Sequence, residues 1–402
     1  MDKPAIDVIR RDRDVVLERI RSYHLRPFPG VVGKVFLISD QYPGVWLEHV
    51  YDAIAWVDYD RGDPAVSRSQ VDLFLGHQKP DGQLPCLVLD PVLGKDWPIG
   101  PVGHGWLQEC VSFTRLCLEA SEQNGDAQLL ARAYAQCVRW DAWLVRNRMT
   151  LGRGLIETFC GYDTGHDFSM RFDDVRYPTA GSGDGAAPPT GCAVLPMISP
   201  DLNAVFYGSR AALAEMARRL GKSEEAAAWT AAAEAVRRSL HEVCFDEADE
   251  FFYDVDRHGH RRRIRSVAIT NLFGEGVLDR HLADRIFARY LAHPAEFGSP
   301  YPFPAVSMAD RAWIQNRTGN SWTFYSQGLT ALRALRWMDA YGRGSELERM
   351  MWAWVSAWCR SGTVRFGQEL HPVTGEPSDA SPWYSSTMLF FLHAVRRLGI
   401  IA

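Results

Sequence analysis

Residues 161–174, "GYDTGHDFSMRFDD", set four carboxylates (Asp163, Asp167, Asp173 and Asp174) beside Arg171, Phe168 and Phe172, in a segment with no helical period. Grouped carboxylates do proton chemistry near neutral pH when apolar surroundings keep one of them protonated while a neighbour stays charged. Asp167, between His166 and Phe168, has that kind of neighbourhood. Three other stretches gather the same residue types. "YPGVWLEHVYDA" (42–53) carries Trp46, Glu48, His49 and Asp52. "WPIGPVGHGWLQE" (97–109), after "DGQLPCLV", carries His104, Trp106 and Gln108. "RFGQELHPVTGEPSDASPWYSS" (365–386) carries Glu369, His371, Glu376, Trp383 and Tyr384. Loop carboxylates interleaved with aromatics suit glycosidic-bond cleavage, in which one acid protonates the leaving oxygen and a second carboxylate activates water on the opposite face. The flat rings suit the faces of sugars, and the chain has fourteen Trp and fourteen Tyr, although such rings also serve simply to fill cores.

Each of these residues has a plainer alternative. His104 is either a pocket wall for sugar hydroxyls or a residue at a helix start. Asp173 and Asp174 serve more readily as caps, or as partners of Arg176, than as catalysts. Arg261, Arg262, Arg263 and Arg265 suggest an acidic sugar, but they also fit the solvated face of a hairpin.

Composition narrows the classes. Lys+Arg 44 against Asp+Glu 49 gives a net charge of −5, with no basic footprint for nucleic acid. The first residues, "MDKPAIDVIRRDRDVVLERI", are charged from the start and do not read as a signal peptide. No apolar run approaches the ~20 residues of a membrane span. Eight cysteines are scattered without a CxxC pair and read as reduced, buried thiols of a cytoplasmic protein. No His/Asp/Glu spacing suits a metal, and acetal protonation needs none, so neither metal nor cofactor is expected. The expected partner is a small carbohydrate, with no nucleic acid and no membrane, and the composition is compatible with a homo-oligomer.

The elements that must position these loops are helices. Apolar residues recur at helical spacing over 7–23, 45–60, 64–78, 103–122, 126–148, 199–221, 223–245, 279–293, 322–341, 344–359 and 382–398. "QNG" (123–125) reads as a C-cap and turn, and Ser223 opens a helix with glutamates in its first turn. "EFFYDVDRHGHRRRIRSVAI" (250–269) alternates like a hairpin. No strand–helix alternation and no glycine-rich phosphate loop occur. About a dozen helices with long alternate connections predict an all-α toroid of six helix pairs, an (α/α)6 barrel. Short β-hairpins and long loops then gather at the mouth of its funnel. Residues 1–34 are expected to form a helical extension packed on a catalytic domain of residues 35–402, and "PTAGSGDGAAPPTG" (178–191) a mobile loop over the mouth.

"GHDFSMRF" closely resembles the trehalase segment "GWDFSSRW", and the corresponding "DNSPRW" of family 63 glucosidases and mannosylglycerate hydrolases. "ISPDLNAVFYGSRAALAEMARRLG" is similar to their "PVDLNA" helix, "WLEHVYDA" to their "WLWDSFFDA"-like segment and "QKPDGQLPC" to "Q.dG.iP". "HPVTGEPSDASPWYSS" resembles their "P.TGe......YSWSA" block. The order spans residues 35–398, so the chain resembles the clan of inverting glycosidases that contains families 37 and 63. The resemblance implies an (α/α)6 barrel that removes a terminal α-linked glucosyl or mannosyl residue from a small glycoside. It makes Asp167 the general acid and Glu369 the general base. It places substrate contacts at Trp46, Glu48, Asp52, His104, Trp106, Gln108, Asp163, His166, Arg171, Asn203, Trp322, Trp383 and Tyr384. In the family pattern the base stands four residues before the proline; here Gln368 holds that place and Glu369 the next, with Glu376 the alternative. "RTGNSW" keeps Gly319 and Trp322 of the family's "WRGPVW" but displaces its arginine. His49–Tyr51 stand where the family has "WDS", leaving Asp52 to take the aspartate's part.

Two other classes stay open on the sequence. A sugar epimerase or isomerase on the same barrel needs a histidine pair, and His104, His166 and His371 are available. A carbohydrate-binding protein without catalysis needs only the aromatics.

Overall fold

The computed structural model describes residues 4–97, 100–173, 185–188, 191–313, 322–360 and 365–400. Among them run twelve α-helices. They are α1 (Ile6–Arg19), α2 (Val50–Asp60), α3 (Ala65–Gly76), α4 (Phe113–Asn124), α5 (Ala127–Arg148) and α6 (Pro200–Arg219), then α7 (Ser223–Cys244), α8 (Ile269–Gly274), α9 (Arg280–Ile286), α10 (Gly328–Ala334), α11 (Gly344–Arg360) and α12 (Ser385–Arg397). The even-numbered helices follow one another around a ring, from α2 through α4, α6, α8 and α10 to α12, and α12 returns to α2. Outside them α3 lies on α2 and α4, α5 on α4 and α6, α7 on α6, and both α1 and α11 on α12. This is the (α/α)6 toroid expected from the helical periods.

Side-chain patterning explains which helices go inside. In α12, Ser385 through Leu392, Ala394 and Val395 are all buried, and a helix apolar nearly all round must be enclosed. In α7 only Ala226, Ala233, Val236, Leu240 and Cys244 are buried, a single stripe that suits the outer layer. Local chemistry fixes the joints: Ser112 caps α4, Gly125 ends it in the left-handed region (φ 59°), and Asp126 caps α5 through the amides of Gln128 and Leu129. One core runs from Ile9 in α1 to Val395 in α12. Seven of the eight cysteines are buried, and none is in a disulfide. Among the described residues no helix is long and apolar enough to cross a membrane.

Several helices are shorter than their periods suggest: Gly44–Trp46 pair antiparallel with Leu87–Leu89, so α2 begins only at Val50, and α9 gives way after Ile286 to a π-helical turn over Phe287–Leu291. Residues 103–112 form a loop and α4 begins only at Phe113, because the amide of Leu107 donates to Asp163 Oδ1 (2.8 Å) and that of Glu109 to the Asp163 carbonyl (3.0 Å). In the stretch 322–341 only α10 is helical, since Ser326 and Gln327 pair antiparallel with Leu370 and Glu369. The hairpin in 250–269 is present, with Asp254–Val255 against Arg261–Arg262, but that stretch also starts α8, which the alternation does not reveal. Arg263 meets Asp249 (2.6 Å) and Arg265 meets Glu296 (3.0 Å), so the hairpin's positive charge is answered locally.

Candidate active site

The loop that carries Asp167 is held by two buried ion-pair systems. Asp163 is 0% exposed; its carboxylate receives Arg148 Nη1 (2.7 Å) and the amides of Leu107 (2.8 Å), Phe159 (2.7 Å) and Cys160 (3.2 Å). Arg171 lies between two carboxylates, with Nη1 and Nη2 on Asp201 (2.6 and 2.8 Å) and Nε and Nη2 on Asp254 (2.8 and 2.6 Å). Burial opposes its charge, but Asp201 and Asp254 outweigh burial and hold the guanidinium protonated well above its ordinary range. These are corrections: Asp163 and Arg171 have no polar group left for a sugar, and they build the frame instead. Asn203 is a third. Its side chain accepts from the Ile156 amide (2.8 Å) and donates to the carbonyls of Ile156 (2.9 Å) and Ser199 (3.0 Å), tying α6 to the loop.

On this frame Asp167 faces a pocket of about 310 Å³, mouth included, whose walls include Tyr42, Trp46, Glu48, His49, Trp322 and Tyr384. Asp167 Oδ1 is buried without a hydrogen-bond partner among the described residues. Burial first, and the charge of Glu48 second, raise its carboxyl from 3.8 to about 8, so it is a protonated acid at neutral pH. Glu48 in turn receives Gln108 Nε2 (3.1 Å) and Cys110 Sγ (3.3 Å), with Arg333 Nη2 at 3.9 Å from α10. The pocket thus sets a proton donor beside an anion, the asymmetry that acid catalysis needs. Gln108 (φ 55°), Phe168 (φ 54°), Ser381 (φ 38°) and Trp383 (φ 58°) all hold left-handed backbone in these loops, a strain that clusters where side chains must be aimed.

Gly165 makes the pairing of Asp167 with Glu48 spatially feasible. Its φ is +67°, and a Cβ there would overlap Glu48 Oε2 and lie 2.6 Å from Cys110 Sγ. Gly165→Ala is therefore expected to cost about 1–3 kcal/mol in left-handed strain and to push Glu48 aside. A ~1 Å misplacement of that kind lowers turnover by about 10²-fold. Urea unfolding and kcat on one preparation check both effects.

The remaining expected contacts divide. Trp46, Glu48, Trp322 and Tyr384 line the pocket. Gln108 braces Glu48, and Trp106 Nε1 donates to Gln108 Oε1. Asp52 does not reach the pocket: it is 1% exposed and bound by Ser386 Oγ (3.0 Å), Ser385 Oγ and His49 Nδ1 (3.0 Å), so it orients His49, whose Nε2 meets the Tyr384 hydroxyl (2.9 Å). Trp383 lies against Phe366, under the Arg19 guanidinium. His104 points Nε2 at the His77 carbonyl (3.3 Å). His166 stacks on Trp322, ring centroids 4.1 Å apart. Burial and then the charge of Arg171 push it well below its usual range, and its Nδ1 accepts from Arg171 Nη1 (3.1 Å). His371 Nδ1 accepts from the amides of Val373 and Thr374 (both 3.2 Å). The three candidates for an isomerase's histidine pair are thus separately engaged, and none of them lines the pocket.

Glu369 does not border the pocket. It is 0% exposed; Gln327 Nε2 donates to its Oε2 (2.5 Å) and Ser378 Oγ to its Oε1 (2.8 Å). Burial raises it to about 7, against those two donors. The residue just before the strand, Gln368, is the one that borders the pocket. Glu369 itself is not among the residues that line the pocket, and Glu376 is exposed on the turn beyond. The sequence expectations name neither Tyr42 nor Arg333. Tyr42 was legible, four residues before Trp46. Arg333, on α10 far along the chain, left no local signal. Asp174, Arg176, Gly319 and most of the loop 178–191 lie outside the described residues.

Comparison with known proteins adds three findings. Residues 46–387 match the family model described as the mannosylglycerate hydrolase MGH1-like glycoside hydrolase domain. No curated protein sequence matches the chain. Among solved structures, the family 63 mannosylglycerate hydrolase of Thermus thermophilus, in complex with Tris and D-glycerate, aligns over 96% of this chain and 99% of its own at 16% identity, with TM-score 0.73. The same enzyme in complex with glucose aligns over 94% and 98% at 17% identity, TM-score 0.73. The neutral trehalase Nth1 of Saccharomyces cerevisiae aligns over 91% of this chain and 74% of its own at 12% identity, TM-score 0.66. At these identities the solved structures establish the shared barrel.

Proposed function

The chain belongs to the mannosylglycerate hydrolase MGH1-like glycoside hydrolase family, and from that premise we propose that it removes a terminal α-linked glucosyl or mannosyl residue from a small glycoside, with inversion and with Asp167 as the general acid. The observation that carries this is the state of Asp167: a carboxyl held protonated at neutral pH, beside charged Glu48, in an aromatic-walled pocket. In the transition state its proton passes to the glycosidic oxygen as the anomeric carbon–oxygen bond breaks. Trp46, Trp322 and Tyr384 would hold the ring and exclude water, and Glu48 would accept from its hydroxyls. Inversion draws on the likeness of the Asp167 segment and the blocks around it to the clan of inverting glycosidases. The sugar class draws on the mannosylglycerate hydrolase and its glucose complex.

The pH profile of kcat/KM tests the assignment. The acid must be protonated to act, so the rate is expected to hold below about 8 and fall as the pH rises through that value. Glu48→Gln removes the secondary cause of the raised pKa, and the alkaline limb is expected to move to lower pH, whatever happens to the maximum rate. A limb that stays in place in Glu48→Gln would show that Asp167 is not the titrating acid.

A further inference from the structure

The first and last helices of the inner ring, α2 and α12, meet through buried polar groups beside the pocket. Asp52 on α2 receives the hydroxyls of Ser385 and Ser386 from α12, and its Oδ2 lies 3.0 Å from His49 Nδ1. Ser386 gives its hydrogen to Asp52, so its oxygen, 3.4 Å from the same ring nitrogen, can only accept there. Nδ1 therefore faces acceptors alone, a carboxylate and a hydroxyl oxygen, and it carries the hydrogen of the neutral imidazole. Nε2 is left with the lone pair. At 3.6 Å from Glu48 Oε1 this nitrogen is beyond hydrogen-bond reach of that carboxylate. The Tyr384 hydroxyl, 2.9 Å away, is then the donor to it. A phenol has one hydrogen, and with that given to His49 the Tyr384 oxygen can only accept from anything else. His49, Glu48 and Tyr384 all border the pocket that contains Asp167.

We propose that Asp52 and His49 set the polarity of this wall: they make Tyr384 an acceptor-only group that, with Glu48, recognises two hydroxyls of the bound sugar by their hydrogens. Tyr384 is the specificity-determining residue, and Asp52 and His49 are its positioning residues. This rests on the pocket binding a glycosyl ring. A sugar hydroxyl both donates and accepts, so either polarity could hold it; the wall as built uses only the donating side. Fluorine in place of the contacted hydroxyl keeps the shape of the ring but has no hydrogen to give. It leaves the buried Tyr384 oxygen without its partner in the complex, at a cost of about 10–10²-fold in affinity.

The test is a binding titration at neutral pH, followed by the fluorescence of the pocket residues Trp46 and Trp322. D-glucose and D-mannose are compared with each of their monodeoxyfluoro forms; binding of a free sugar avoids the effect of fluorine on an oxocarbenium-like transition state. Wild type is expected to reject fluorine at two ring positions, one answering to Glu48 and one to Tyr384. Tyr384→Phe keeps the ring edge against His49 (centroids 5.3 Å apart). In it the parent sugar is expected to weaken about 10–10²-fold, to the level of one fluoro form whose own affinity holds, while the penalty at the other position stays. Asp52→Asn sets an amide, with hydrogens of its own, against His49 and admits the other tautomer, as the same change does in a Ser-His-Asp triad. It is expected to shrink the Tyr384 penalty and no other. Each comparison is a ratio of affinities within one protein, so a lower folded fraction does not imitate it. Fluoro penalties that Tyr384→Phe leaves untouched at every position overturn the proposal. So does wild-type binding that tolerates fluorine throughout, the mark of a Tyr384 hydrogen turned into the pocket. The full Tyr384 penalty in Asp52→Asn removes Asp52 from the assignment. No saturable change with either parent sugar would instead refute the glycosyl pocket itself.

Discussion

Asp167→Asn is expected to lower kcat on an α-glycoside with an unactivated leaving group by about 10²–10⁴-fold, the usual worth of a positioned general acid. The loss should depend on the leaving group. A phenol that departs as a stable anion needs little protonation, so the variant should approach wild-type rates on such an activated glycoside. An equal loss on both substrates would mean that Asp167 positions the sugar rather than protonating it. Stability should move the other way. The folded carboxyl is raised to about 8, while an unfolded aspartate ionises near ~3.9. Between those values the unfolded state binds fewer protons than the folded one, so this group costs stability as the pH rises through that window. Asparagine gives up no charge on folding, and the variant should unfold at the same urea concentration as wild type or higher at pH 7. A less active but more stable variant is the expected mark of a residue kept for chemistry.

Arg171→Leu is expected to have the largest effect on stability. It removes the cation between Asp201 and Asp254, both buried. Breaking a buried pair by deleting one partner costs about 3–5 kcal/mol, because the other charge is left uncompensated. Here two carboxylates lose their partner and face each other. Arg171→Lys should recover only part of the loss, since an ammonium cannot make two bidentate contacts. Turnover should fall with stability, because Arg171 also donates to His166, next to Asp167. Adding Asp201→Asn and Asp254→Asn to Arg171→Leu should regain much of the stability by removing the stranded charges. Urea unfolding of the series checks this; a loss below about 1 kcal/mol for Arg171→Leu would place the strength of this loop elsewhere.

The helical framework was largely legible because its signals are local. Apolar periods, Gly125 after "QN", and Ser223 before its glutamates each act within one turn of chain, and they place α5, α6 and α7 closely. Legibility failed where a distant group outbid the local pattern. Residues 103–112 look helical, but Asp163, more than fifty residues on, takes the amide of Leu107. Arg171 looks like a ligand for sugar until Asp201 and Asp254, 30 and 83 residues away, are seen to occupy it. Asp167 and Glu48 were identifiable by type and setting; that Glu48's charge would help keep Asp167 protonated was not. Which residue of this segment borders the pocket turned on a single position. Gln368 borders the pocket and Glu369, one residue on, is buried behind it.

The most direct measurement is a proton NMR time course of wild-type protein with a panel of small α-glucosides and α-mannosides, mannosylglycerate and trehalose among them, read before the released sugar mutarotates. Inverting cleavage with Asp167 as acid predicts the β-anomer of the terminal sugar as the first product from an α-glycoside, and its absence with Asp167→Asn. First appearance of the α-anomer would require a covalent glycosyl-enzyme and contradict direct attack by water. Conversion of a free sugar to its epimer, without glycoside cleavage, would contradict hydrolysis altogether.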